Sequence, residues 1–312
     1  MSNLVNFSDC KLSNRNLQYG GRAGEKKGII YNGEYWFLKF PKNTIGMNNV
    51  EGIDYVTSPL SEYIGSRIFA MLGFDVHKTE LGICFDGKRN KVVCGCKDFI
   101  NDDKNELLIQ YTSLRNDTDP KIMEKFDKTM KSATNFNEIL FHLDNNTILK
   151  TIPKLKEDFF DRLVVDLIIN NNDRNEDNWG VIKYKSENKY KLAPVFDCGN
   201  CFYGKASDER IRKILSEKDR LISSSLDIIT VYENNDGNNI TFRDMVKYNN
   251  QYLKKSFEKI LKLFNSKMKD IEKFISTIPE SFEDVDIISD VRKEYYIKTM
   301  KYRLETIRDS LK

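Results

Sequence analysis

The chain has 312 residues, 40% of them hydrophobic, which is enough for a sizeable core and suggests two packed lobes rather than one small module. Its 50 basic and 47 acidic residues leave a net charge of +3, too balanced to argue for direct nucleic-acid binding. No apolar run approaches the roughly 18 residues of a membrane helix, and the start lacks a basic stretch followed by an apolar one, so neither a membrane partner nor Sec-type export is expected; the cytoplasm, or translocation by an apparatus that reads no such leader, is the expected location.

In chain order, "YGGRAGEKKG" at residues 19–28 comes first. Glycines let backbone N–H groups approach a phosphate closely, and Lys26 adds charge. Alone, such a run is equally an ordinary turn. "GIIYNGEYWFLKFP" follows and reads as a hairpin, because Asn32-Gly33 is a strong two-residue turn signal between aromatic and β-branched flanks. In its second strand Trp36, Leu38 and Phe40 share one face, and Tyr35, Phe37 and Lys39 the other.

Residues 58–73, "SPLSEYIGSRIFAMLG", have the spacing of a helix with Leu60, Ile64, Ile68 and Met71 on its apolar side. Strands are expected at 78–85 and 91–99, then a polar, helix-leaning stretch over 101–146. Residues 158–170 form a helix apolar nearly all round. "WGVIKY" and "KYKLAPVFD" make a second hairpin, and from Ser207 the pattern is mainly helical. Strands early and helices late give an α+β layout with a small β-rich N-lobe, residues 1–99, and a larger helical C-lobe, residues 100–312, joined near 97–102.

Six cysteines are too few for a disulfide scaffold of this length. Cys94 and Cys96 form one close pair, Cys198 and Cys201 another. Only the second has the usual zinc spacing, so reduced buried thiols are the expectation. His77 and His142 have no ligand-like neighbour in sequence and read as ordinary residues.

Four features acquire meaning from their order. The glycine-rich run can cradle phosphates. Lys39, a cation in an aromatic strand, either snorkels at an edge or holds phosphates in a cleft. In the second case it needs an acidic partner, and Glu62 on the next helix is placed for that by chain order. "NNNDRNEDNWG" then ends a buried helix. A carboxylate that takes a hydroxyl proton must be rigid yet reachable, and Asp173 there meets both conditions. Asn178 can offer a neutral oxygen to a cation. A turn merely rich in Asn and Asp is the plain alternative. Last, Asp197 ends the apolar strand "APVFD" and precedes "CGN"; a carboxylate there calls for a partner, and a metal is a good one.

These stretches resemble the HipA-like serine/threonine kinases, most closely the short CtkA-type branch. The carrying segments are "YGGRAGEKKGIIYNGEYWFLKFP", "SEYIGSRIFAMLG", "CKDFI", "DRNEDNWGVI" and "APVFDCGNCFY". The resemblance implies a bilobal protein-kinase-like fold and serine/threonine kinase activity with ATP and magnesium (Mg2+). By position it implies that Asp173 is the catalytic aspartate and that Asn178 and Asp197 are the metal ligands. Lys39 would be the phosphate-binding lysine, with Gly20, Gly21, Gly24 and Lys26 in the nucleotide loop. Lys97, Asp98 and Phe99 would form the hinge that holds adenine through backbone groups. It further implies a protein substrate, either a bacterial translation component or a host protein, with autophosphorylation, and an antitoxin or a small N-subdomain-like partner as possible company.

The chain departs from the family pattern in three places. Asn175 stands where histidine often follows the Asp-Arg pair. "GGRAGEK" lacks the regulatory serine of the longer toxins, and too few residues precede it for their extra N-terminal subdomain. A small-molecule phosphotransferase of the kinase-like superfamily and a pseudokinase interaction module are the competing expectations.

Overall fold

Asn32 and Gly33 turn the first hairpin with φ of 51° and 76°, the left-handed pair that a two-residue turn of this hand requires. In this computed structural model, which describes residues 4–14, 26–41, 58–100, 105–115, 134–184, 187, 189–204 and 206–312, the hairpin is β3 (Lys26–Tyr31) and β4 (Glu34–Lys39). It joins β1 (Val5–Asn6), β2 (Lys11–Leu12), β5 (Thr79–Phe85) and β6 (Asn90–Lys97) in one six-stranded sheet of order β1-β5-β6-β4-β3-β2. The expected alternation holds. Trp36, Leu38 and Phe40 are buried in a small core with Phe7, Ile29 and Val93, while Lys39 points to the other side.

On that other side lies α1 (Ser58–Met71), with Leu60, Ile64 and Ile68 buried. Gly73, at φ 89°, ends it: its N–H returns to the Ala70 carbonyl at 3.0 Å.

The remainder is largely helical. α2 (Tyr111–Arg115) and α3 (Phe136–Asn145) lead to α4 (Leu155–Ile169), which is buried nearly all round as expected. After it come α5 (Asp208–Ser216), α6 (Lys218–Leu226), α7 (Phe242–Val246), α8 (Gln251–Ser276) and α9 (Asp290–Ser310). α8 and α9 pack on α4, and buried Arg303 of α9 donates to the last-turn carbonyl of Ile168 at 2.9 Å.

The 101–146 stretch is not purely helical. Glu106–Gln110 is a strand, β7, which pairs with β8 (Gly180–Tyr184), itself the partner of β9 (Lys189–Leu192). Gly180 permits this approach: a Cβ there would lie 2.2 Å from the Ile109 carbonyl oxygen. Local propensity yields to a long-range pairing that sequence spacing cannot show. Short hairpins at Ile229–Glu233 with Asn239–Thr241, and at Ser281–Phe282 with Val285–Asp286, likewise interrupt the helical end of the chain. No helix among the described residues is long and apolar enough to cross a membrane.

Candidate active site

Lys39 sits at the end of β4 and donates from Nζ to Glu62 Oε2 at 2.7 Å and to Asp197 Oδ1 at 2.9 Å. A strand, a helix and the segment after β9 thus meet on one ammonium group, as chain order suggested for Lys39 and Glu62; the apolar strand expected to end at Asp197 stops at Leu192, and only a single bridge from Val195 to Val76 continues it. Burial favours the neutral amine, but the carboxylates of Asp197 and Glu62 outweigh it and hold the lysine pKa well above its ordinary value. Glu62 is fully buried. Burial raises its pKa, but Lys39 and a hydrogen bond from His77 more than reverse this and leave it well below the usual carboxylate range.

His77 is what sequence reasoning missed here. Its Nε2 is 2.9 Å from Glu62 Oε1 and 3.2 Å from Ser66 Oγ. Its backbone N–H donates to the Val195 carbonyl at 3.0 Å, and Val195 N–H donates to the Asp75 carbonyl at 2.8 Å. The residue therefore touches both the α1 glutamate and the strand that leads to Asp197. No spacing motif signals this, because the contact joins separate elements.

The polar stretch after α4 is an ordered loop in which each side chain has work to do. Asn170, at φ 53°, ends the helix, and its N–H returns to the Asp166 and Leu167 carbonyls. Arg174 is buried and forked onto Asp166, with Nε to Oδ2 at 2.9 Å and Nη2 to Oδ1 at 3.0 Å. Its Nη1 donates to the carbonyls of Asn178, at 3.1 Å, and Phe196. One guanidinium thereby ties the loop to the Asp197 strand. Asp177 faces outward and anchors the loop to the neighbouring strand and helix: its carboxylate accepts from Thr112 Oγ1 at 2.5 Å and its carbonyl from Gln110 Nε2 at 2.6 Å.

Asp173 is half-buried, and Asn175 Nδ2 donates to its Oδ1 at 2.9 Å. The asparagine that stands in place of histidine thus steadies the carboxylate. Asn178 Nδ2 donates to the Asp173 carbonyl at 2.6 Å, which leaves the amide oxygen as its acceptor.

Asp197 has φ 57°, a left-handed conformation that costs a non-glycine residue energy and persists only when its surroundings enforce it. Here Lys39 takes its carboxylate, and Arg174 holds the carbonyl just before it. Gly199 keeps this corner uncrowded, since a Cβ there would lie 3.3 Å from Glu62 Oε2, a tight contact.

Gly20, Gly21 and Gly24 lie outside the described residues. Lys26 is described. It pairs across the hairpin with Lys39 and lies 5.8 Å from the Phe37 ring centre; burial, then the Lys39 charge, lower its pKa. At the hinge, Lys97 N–H donates to the Lys78 carbonyl at 2.8 Å and Asp98 N–H to the Tyr35 carbonyl at 2.9 Å. Those two amides are engaged by neighbouring carbonyls, which leaves the carbonyls of the segment and the Phe99 backbone for the expected adenine contact. The Phe99 ring lies against Phe196, with centroids 5.6 Å apart.

No family model matches the chain. The serine/threonine-protein kinase CtkA of Helicobacter pylori is 34% identical over 218 residues, 70% of this chain. The crystal structure of the Helicobacter pylori proinflammatory kinase CtkA superposes with a TM-score of 0.83 at 27% identity, covering 99% of this chain and 96% of that one. The chain is similar to CtkA in sequence and in fold. The expected resemblance and the bilobal, kinase-like α+β fold are both borne out. The sequence match spans 62% of the curated CtkA's length. HipA of Shewanella oneidensis, from its complex with HipB and operator DNA, gives a TM-score of 0.48 at 12% identity over 93% of this chain and 65% of that one, too distant to argue from.

Proposed function

We propose that the chain is an ATP-dependent serine/threonine protein kinase. The observation that carries this reading is the Lys39 ammonium held between Glu62 at 2.7 Å and Asp197 at 2.9 Å. A lysine so fixed between two carboxylates is suited to receive nucleotide phosphates. Phosphoryl transfer needs chiefly positioning and charge neutralisation, and the parts present supply both.

In this reading Lys39 steadies the ATP phosphates, assisted by Lys26 and by the run containing Gly20, Gly21 and Gly24. Phe99 and the carbonyls of Lys97 and Asp98 meet the adenine edge, with the lobe boundary near residue 100. Asp173, steadied by Asn175, orients the substrate hydroxyl and accepts its proton. Asn178 and Asp197 offer an amide oxygen and a carboxylate, hard donors that suit magnesium, and such an ion would neutralise phosphate charge during transfer.

The Helicobacter pylori CtkA is a proinflammatory kinase, which favours a host protein over a bacterial translation component as substrate. Autophosphorylation and action outside the cell belong to the same reading. The distant HipA match lends no argument for an antitoxin partner.

The test is phosphate transfer from labelled ATP by wild type and Asp173→Asn, on the chain itself and on host-cell lysate. Transfer should fall about 10²–10⁴-fold, with magnesium–ATP binding retained. Undiminished transfer in a folded Asp173→Asn variant would sink the mechanism.

A further inference from the structure

Behind the Lys39–Glu62 pair lies a cluster that phosphoryl transfer leaves unused. A Glu62 carboxylate oxygen, a His77 ring nitrogen and Cys96 Sγ all lie within 4.8 Å of one another, and all three residues are buried. They come from α1, the connection before β5, and β6. We propose that Glu62, His77 and Cys96 form a coordination site for a thiophilic divalent cation such as zinc, and that filling it takes Glu62 away from Lys39.

Three observations support the site. First, the donors are mixed oxygen, nitrogen and sulfur, a set that suits zinc and not magnesium. Second, Cys94 Sγ lies 3.9 Å from Cys96 Sγ. Two thiolates on a tetrahedral zinc, with bonds of about 2.3 Å, stand roughly 3.8 Å apart, so Cys94 has a suitable separation from Cys96, although it lies outside the group of three. Third, His77 Nε2 serves Glu62 and Ser66, while buried Nδ1 has no partner among the described residues. An imidazole with an unused nitrogen in a dry interior has capacity for a cation.

Glu62 already binds one cation, the ammonium of Lys39 at 2.7 Å. That lysine is 14% exposed and stands beside Asp197, itself 34% exposed, so its swing toward the cleft opens a way in. On binding, the Cys96 thiol gives its proton to buffer, a thiolate–metal bond forms, and no electron is transferred. Cys96 closes on the other two donors, while Glu62 and His77, now 2.9 Å apart, open slightly to reach tetrahedral spacing. Lys39 then keeps Asp197 and loses Glu62. The site itself does not depend on the kinase reading; its effect on nucleotide does.

The test titrates cobalt(II), without oxygen, into the reduced, metal-free full chain. A thiolate-to-cobalt charge-transfer absorption should appear and saturate at one ion per chain. It should vanish in Cys96→Ala and Cys96→Ser, checked as folded by melting, and persist in Cys201→Ala. No such band, or one that survives both Cys96 variants, overturns the site. Oxygen-only binding at Asn178 and Asp197 cannot produce it. In a second arm, zinc should reduce the melting shift given by magnesium–ATP in wild type and leave it unchanged in Cys96→Ala. Equal zinc sensitivity in both overturns the competition with Lys39. An absent nucleotide shift in metal-free wild type counts against the kinase reading and leaves the cobalt band to decide the site.

Discussion

Asp166 grips Arg174 through two hydrogen bonds of 2.9 and 3.0 Å, with both side chains buried. Burial alone would lower the arginine pKa, but the Asp166 carboxylate and the neighbouring Cys198 hold it well above its ordinary value. The fork's remaining arm reaches carbonyls at Asn178 and Phe196, one residue before Asp197. A single ion pair therefore sets the spacing between the Asp173 loop and the segment that carries Asp197.

Arg174→Met should destabilise the fold by about 3–5 kcal/mol, because it leaves Asp166 charged and buried. Arg174→Lys should retain more stability yet lose activity, since a point charge cannot bridge carboxylate and carbonyls at once. Denaturant midpoints alongside transfer rates check both. An Arg174→Met chain as stable as wild type would show that the pair is dispensable.

Acid sensitivity follows from Glu62. Its folded pKa is depressed by Lys39 and His77 against the opposing effect of burial. A depressed carboxylate contributes stability that is fully present above its unfolded pKa of about 4.3 and is lost as pH falls toward the folded value. The stability difference between wild type and Glu62→Gln should therefore be constant near neutrality and shrink below about pH 4.3. Denaturation curves from pH 7 downward measure it. A gap that widens in acid would mean that the sign is wrong.

Lys39→Ala should lower kcat/KM for ATP on the order of 10²-fold, the usual effect of deleting one charge-stabilising donor. Glu62→Ala should give a milder defect, because the lysine keeps Asp197 at 2.9 Å. Melting curves separate function from folding. If Lys39→Ala unfolds the chain, or leaves ATP kinetics untouched, the lysine is structural.

Much of this site was legible in the sequence, and the reasons are local. Asn32-Gly33 announced its hairpin, the alternation from Tyr35 to Phe40 gave Lys39 its face, and an apolar helix before "NNNDRNEDNWG" marked a loop held in place. The missing parts depend on chain segments brought together only by folding. His77 reaches Glu62 from beyond α1, β7 exists through its pairing with β8, and the hinge amides of Lys97 and Asp98 are engaged by Lys78 and Tyr35. Arg174 stood in view within the motif, but its role depends on Asp166, eight residues back inside the helix, where a carboxylate looks like one more polar position.

The magnesium assignment can be tested through stability. Asn178 and Asp197 together bring one negative charge, and Asp197 already shares its carboxylate with Lys39. Magnesium dehydrates reluctantly and usually takes few protein ligands alongside substrate phosphates, so the ion should bind weakly alone and well with ATP. At ligand about 100-fold above its dissociation constant the fold gains roughly 2.7 kcal/mol. For a chain of this size, each kcal/mol raises the melting temperature by about 2–4 °C. Asp197→Ala should lose the magnesium-dependent share of that rise together with catalysis. It should keep any metal-free adenine binding at Phe99. Asn178→Ala should lose part of it, and should also loosen Asp173, whose carbonyl accepts from Asn178 Nδ2 at 2.6 Å. The two variants thus separate by their residual metal response: near zero for Asp197→Ala and intermediate for Asn178→Ala. An Asp197→Ala chain with the full magnesium-dependent rise would place the ion elsewhere and remove the basis for metal-assisted transfer at Asp197.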